Sequence, residues 1–114
     1  LVTTELLLHT MRQTRSGPQR LKAGVPPGWT FGHKTGTGQV FEGEQSGYND
    51  VGILTAPDGS IYTVAVMIGR TQVPVPERME MMHGVVRAIA GYHEMVAGAG
   101  AQRAGAPAPA KRKS

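Results

Sequence analysis

The residues best suited to chemistry lie together at positions 32–38, Gly-His-Lys-Thr-Gly-Thr-Gly. Lys34 can hold a positive charge beside a reacting hydroxyl or a carboxylate, and Thr35 offers a hydroxyl. The Thr37 backbone N–H can donate to an oxygen that becomes negative during a reaction. Gly36 carries no side chain, so a ligand can lie close to the backbone there. The segment is therefore suited to binding an anionic group and stabilising an oxyanion.

A β-strand is needed to hold these groups, and the sequence predicts one. Aromatic residues and His alternate with small or polar residues over positions 29–34, the period of two that is typical of a strand. Lys34 and Thr35 then point to opposite faces of that strand. The residues that follow, 38–47, are rich in Gly and polar side chains and predict a loop.

Two further strands are predicted at residues 51–55 and 61–68. The Pro-Asp-Gly sequence at 57–59 lies between them and predicts a hairpin turn. The run at 64–68 is apolar throughout, which predicts that both faces of the last strand are covered. Together the three strands form an antiparallel meander.

A helix is predicted on each side of the meander. Residues 3–14 have apolar side chains at helical spacing, Thr3 or Thr4 can cap the first turn, and a Ser-Gly-Pro sequence follows. Residues 20–28 contain two prolines and predict a loop. Residues 77–97 predict a long helix with an apolar stripe that packs on the sheet: Met79, Met82, Val86, Ile89, His93 and Val96. The predicted fold class is α+β.

The net charge of +4 arises in the C-terminal tail. Of the 12 Lys and Arg, four follow residue 97, and the remaining eight balance the eight Asp and Glu. We therefore predict a neutral folded part at 1–97 and a disordered Gly, Ala, Pro and basic tail at 98–114. A nucleic-acid-binding surface has no support from the charge pattern. No apolar run is long enough to span a membrane.

A phosphate-binding loop is excluded by the spacing of the motif. The P-loop pattern requires Gly immediately before Lys and a helix after it, whereas His33 precedes Lys34 here and strands follow. We interpret His33 as a strand-face residue, because no acidic partner for a catalytic histidine is evident in the sequence. His83 and His93 are too far apart along a helix to share a metal, and the chain has no cysteine. The sequence predicts neither a metal site nor a cofactor.

Residues 20–29, Arg-Leu-Lys-Ala-Gly-Val-Pro-Pro-Gly-Trp, and 33–38, His-Lys-Thr-Gly-Thr-Gly, closely resemble the C-terminal part of class A serine β-lactamases. The Asn-Asp-Val-Gly-Ile-Leu sequence at 49–54 also resembles this family, as do the hairpin and closing helix that follow. The resemblance covers about residues 3–96. It implies the C-terminal part of a β-lactamase/transpeptidase-like fold.

The resemblance also implies roles for individual residues. Lys34 would orient the substrate carboxylate and assist proton transfer, and the Thr37 N–H would be one of two oxyanion donors, so both are expected to be catalytic. The expected substrate-binding residues are Thr35, Gly36, Arg20 and Ser16. The implied substrate is a β-lactam or an acyl-peptide, and the implied reaction passes through an acyl-enzyme.

Only the third motif of the family set Ser-x-x-Lys, Ser-Asp-Asn and Lys-Thr-Gly occurs in this chain. We therefore expect it to need the N-terminal part of the same fold as a partner and to be inactive alone. The alternatives are a segment of a penicillin-binding-protein-like peptidase or esterase, and a non-catalytic interaction segment. Residues 1–8 lack a signal-peptide pattern, and the resemblance implies a periplasmic or secreted enzyme.

Overall fold

The computed structural model describes the backbone of residues 1–103 and the side chains of residues 1–99. Helix α1 (Val2–Arg12) and a 3₁₀ turn at Leu21–Gly24 precede the sheet. The strands are β1 (Thr30–Thr37), β2 (Val40–Phe41), β3 (Glu44–Thr55) and β4 (Ile61–Thr71), and helix α2 (Val75–Arg103) follows. The predicted α+β class is confirmed, with a helix on each side of an antiparallel sheet.

Strand β3 forms the centre of the sheet. It pairs antiparallel with β1, where Lys34 lies opposite Val51, and with β4, where Val51 lies opposite Ala65. The predicted meander is thus confirmed. Each connection joins strands that are close in sequence, so neighbouring strands of the sheet are linked by short segments.

The predicted loop at 38–47 is wrong in its extent, because a small hairpin occupies most of it. Strand β2 pairs with the start of β3 through a two-residue turn at Glu42 and Gly43. Both turn residues have positive φ, 51° and 79°, which is the backbone of the turn that matches the twist of paired strands. Glu is uncommon at such a position, so this turn could not be recognised from its residue types.

The core lies between one sheet face and α2. Phe31, Leu54 and Val64 are buried on that face and pack against residues of the 3₁₀ turn and the helix: Leu21, Met82 and Val86. Gly24 permits close contact between the two helical elements, since a Cβ there would lie 2.9 Å from the backbone of His83. The apolar stripe predicted for α2 therefore packs on the sheet as expected, except at its end, where Val96 is exposed.

The opposite sheet face is only partly covered in the described part of the chain. Helix α1 crosses β1 at Gly32, where a Cβ would lie 3.0 Å from the Arg12 nitrogen, but no residue of α1 is buried. On β4 the Ala65 side chain is exposed and Met67 is 72% exposed. The prediction that both faces of β4 are covered is wrong for the residues described.

Helix α2 continues to Arg103, beyond its predicted end at residue 97. The rest of the predicted tail, residues 104–114, lies outside the described residues. Within residues 1–103, no helix is both long and apolar enough to cross a membrane.

Gly52 and Gly69 provide a matched test of the β1–β3 packing. In Gly52→Ala the new Cβ would lie 2.5 Å from the Gly32 carbonyl oxygen and 2.6 Å from the Phe31 ring. We expect this substitution to lower the free energy of unfolding by about 1–3 kcal/mol, the usual effect of overpacking. Gly69→Ala meets no atom within 4 Å and should be neutral or stabilising. Urea unfolding followed by Trp29 fluorescence measures both, and equal effects would contradict the described packing.

Candidate active site

The candidate site occupies the last four residues of β1. Lys34, Thr35, Gly36 and Thr37 lie opposite Val51, Asp50, Asn49 and Tyr48 of β3. In the described part of the chain, β3 is the only strand beside β1, so the other edge of β1 has no strand neighbour. An extended segment with one unpaired edge can accept a ligand along its backbone.

Ser16 lies beside Thr35 because of the turn that precedes the 3₁₀ segment. The two hydroxyl oxygens are 2.8 Å apart. Gly17 has a φ of +59°, and a Cβ there would lie 2.6 Å from the Thr35 methyl carbon. Glycine at this position satisfies both the backbone conformation and the close approach to β1.

Arg20 contacts the end of β1 and the neighbouring part of β3. Its Nη1 donates to the Asn49 carbonyl at 2.8 Å and to the Gly36 carbonyl at 3.3 Å, and its Nη2 donates to the Thr37 hydroxyl. The side chain is 8% exposed. A planar guanidinium with several donors is suited to binding acceptors on two strands at once.

Lys34 lies on the other face of β1 from Thr35 and Thr37, as the period of two requires. The side chain is exposed, and its amine donates to the Thr35 carbonyl. The structure thus brings Ser16, Arg20, Thr35 and Thr37 together on one face. The Lys34 amine reaches the same segment from the other side.

His33 and Asp50 form a buried pair next to this site. His33 is 1% exposed, and its Nδ1 lies 2.9 Å from Asp50 Oδ1. The expectation that His33 is a strand-face residue is correct, but the expectation that it lacks an acidic partner is wrong. Asp50 is distant in sequence, so only the β1–β3 register could have revealed the contact.

Burial raises the pKa of the Asp50 carboxyl, and the hydrogen bond and charge of His33 act in the opposite direction. The Leu21 backbone N–H also donates to Asp50, at 3.3 Å. His33 Nε2 is buried and has no hydrogen-bond partner among the described residues. The pair is thus suited to fixing the start of the 3₁₀ turn, and with it Arg20, against the sheet.

The two histidines of the C-terminal half have structural contacts. His93 hydrogen-bonds the Tyr62 hydroxyl at 2.7 Å and lies 3.1 Å from Asp58, and His83 hydrogen-bonds the Gln19 carbonyl at 2.6 Å. Within the described residues, no three His, Cys, Asp or Glu side chains are grouped as metal ligands.

The sequence matches the family model described as the β-lactamase enzyme family over residues 2–93. The chain belongs to this family. A curated relative, the extended-spectrum β-lactamase PER-1 of Pseudomonas aeruginosa, is 43% identical over 63 residues, which are 55% of this chain and 20% of PER-1.

Solved structures of β-lactamases share the fold. A β-lactamase from Chitinophaga pinensis is 32% identical with a TM-score of 0.70, covering 75% of this chain and 32% of its own. The TLA-3 extended-spectrum β-lactamase is 29% identical with a TM-score of 0.74, covering 80% and 34%. This β-lactamase-family chain thus spans about a fifth of the length of PER-1 and about a third of the two solved chains.

Two aspartates should titrate in opposite directions from the usual value of 3.8. Asp50 should titrate above it because of burial, and Asp58 below it because the Ser60 backbone N–H donates to its carboxylate at 3.0 Å. Carboxyl ¹³C NMR over pH 2–8 measures both midpoints. An Asp50 midpoint at or below that of Asp58 would show that the described burial is incorrect.

The free energy of unfolding should depend on pH in opposite directions for the two aspartates, as their pKa shifts require. The contribution of Asp50 to stability is fully present below pH 3.8 and is lost as pH rises through its raised folded pKa, because the folded state loses the proton at a higher pH than the unfolded state does. The contribution of Asp58 is present above pH 3.8 and is lost as pH falls through its lowered folded pKa. Urea titrations of Asp50→Asn and Asp58→Asn should each abolish one of these slopes.

Proposed function

We propose that this chain forms the Lys-Thr-Gly wall of the active site in a class A serine β-lactamase. Lys34 and Thr37 would act on the reacting groups, and the substrate carboxylate would be bound by Thr35, Gly36, Arg20 and Ser16. The observation that carries the proposal is the set of contacts that Ser16 and Arg20 make to Thr35 and Thr37. These contacts support an anion site along the end of β1.

The hydroxyl contacts explain how the anion would be held. Because the Thr37 oxygen accepts from Arg20, its own hydrogen is free to donate to a carboxylate oxygen. When Ser16 donates to Thr35, the Thr35 hydrogen is free in the same way. Two hydroxyl donors then point from one face, and the Arg20 charge behind them strengthens the Thr37 donor.

With the substrate carboxylate held in this way, the reaction would take place at the β-lactam carbonyl of the same substrate. A serine from the rest of the fold would attack the β-lactam carbonyl, forming the acyl C–O bond, and the lactam C–N bond would break as the nitrogen takes a proton. Water would then hydrolyse the acyl-enzyme. The Thr37 N–H would stabilise the oxyanion in both steps, and the Lys34 amine would add positive charge nearby.

The remainder of the fold would be the main protein partner of this chain. The sheet face with Val51, Ile53, Ala65 and Met67 is partly or fully exposed in the described residues. An apolar sheet face of this kind is normally covered in a folded domain. We propose that the N-terminal part of the same enzyme covers it, and that the whole enzyme works in the periplasm or outside the cell.

Complementation tests the proposal directly. The 114-residue chain would be co-expressed with the part of PER-1 that precedes its matched region, and nitrocefin hydrolysis would be measured. We expect no hydrolysis by either part alone and hydrolysis by the pair. Lys34→Ala should lower the turnover of the pair roughly 10²–10³-fold, as for loss of one electrostatic contact to the oxyanion region.

Lys22→Ala serves as the matched control, because Lys22 is also exposed but makes no contact with β1 among the described interactions. It should leave turnover unchanged. Co-elution of the two parts in gel filtration reports assembly independently of activity. An assembled but inactive pair, or hydrolysis by the 114-residue chain alone, would overturn the proposal.

A further inference from the structure

A second buried arginine lies behind the candidate site. Arg78, in the first part of α2, is 8% exposed although it belongs to no part of the proposed substrate site. Its Nε donates to the Val73 carbonyl at 2.7 Å, and its Nη1 donates to the Gln45 side-chain oxygen at 3.4 Å. Burying a guanidinium is costly even when its donors are satisfied, so the burial of Arg78 calls for a structural explanation.

The Tyr48 ring contacts both arginines. The Arg20 guanidinium carbon lies 3.8 Å from the ring centroid, and that of Arg78 lies 5.0 Å from it. The electron-rich faces of an aromatic ring attract cations, so Tyr48 offsets part of the cost of burying two arginines near each other. Tyr48 is buried, so water does not weaken these contacts.

Gln45 connects Arg78 to the same end of β1 by a second route. The Gln45 side-chain N–H donates to the Gly38 carbonyl at 2.7 Å. The Gly38 N–H donates in turn to the Gly47 carbonyl at 2.6 Å, and a Cβ on Gly38 would clash with the Ser46 carbonyl. One route from Arg78 thus passes through Tyr48 and Arg20 to Thr37, and the other passes through Gln45 to Gly38.

We infer that Arg78, Tyr48 and Gln45 are positioning residues that hold Arg20 and the Thr37-Gly38 segment in the geometry that a substrate carboxylate requires. The inference rests on the proposed function for the identity of the ligand. The fixing of Arg20 itself does not depend on it. Without the ring, the long Arg20 side chain would regain rotamers in which it no longer supports the Thr37 hydroxyl.

Rotation of the Arg20 guanidinium about its Nε–Cζ bond measures this fixing in the intact 114-residue chain, by ¹⁵N NMR of the arginine side chains. Tyr48→Leu removes the ring, and Arg78→Lys keeps the charge but loses the planar contact. Tyr48→Leu should speed the rotation about tenfold, the effect expected from loss of one partly desolvated cation–π contact. Arg78→Lys leaves the ring in place without its second guanidinium, so it should speed the rotation to a smaller extent.

Two controls separate positioning from general destabilisation. Tyr48→Phe keeps the ring face, and Arg87→Lys changes an arginine of the same helix that is 60% exposed. Both should leave the Arg20 rotation unchanged. If Tyr48→Leu does not fold, as judged from its amide spectrum, Arg78→Lys carries the test. Unchanged Arg20 rotation in the folded variants would overturn the inference.

Carboxylate binding provides the second readout, with benzylpenicilloate, the hydrolysed penicillin, as the probe and the Thr37 amide shift as the signal. Tyr48→Leu should weaken binding about tenfold, Arg78→Lys should weaken it to a smaller extent, and Tyr48→Phe should leave it unchanged. If the chain assembled with the N-terminal part of PER-1 does not bind the probe but the rotation data follow expectation, the proposed function fails and the positioning of Arg20 stands. Equal affinity in all variants would refute a role of these residues in substrate binding.

Discussion

The geometry of the site depends on the hydrogen bonds of the buried Arg20 guanidinium. The guanidinium bonds the carbonyls of Gly36 on β1 and Asn49 on β3, and it also bonds the Thr37 hydroxyl. A cation removed from water is tolerated only when acceptors surround it. The contacts that permit its burial are therefore the same contacts that fix the end of β1 against β3.

The Asp50 carboxylate supports this arrangement from inside the core. It accepts from the Leu21 N–H, one residue after Arg20, and it contacts His33, one residue before Lys34. The two sides of the site are thus tied to one buried group. This explains how an exposed strand edge can have a defined geometry although the segment before it has only a short 3₁₀ turn.

Much of the fold could be predicted from the sequence because its signals are local. The period of two at Trp29 to His33 and the Pro57-Asp58-Gly59 turn predicted strands that the structure contains, and the helices lie close to their predicted positions. The Glu42-Gly43 turn was missed because Glu rarely adopts positive φ. The prediction that both faces of β4 are covered was wrong, because an apolar run indicates that a strand favours burial but does not show which chain segment covers it.

In the candidate site, too, some residues could be predicted from the sequence and others could not. Lys34 to Thr37 could be selected from the motif and Arg20 from the family resemblance, whereas Asp50, Tyr48 and Arg78 could not. Each of the latter acts through a contact between distant parts of the chain, and their individual residue types are common in any protein. Strand register and helix packing decide such contacts, and neither can be read from spacing alone.

The sequential pairing of β1, β3 and β4 has a consequence for the order of assembly. Hairpin-like connections close small loops, so the entropy lost on pairing is low and the strands can find each other early. In a larger enzyme of this family, a sheet built in this way does not have to wait for remote segments. One face of the sheet is already packed against α2, so later segments have only the other face to cover.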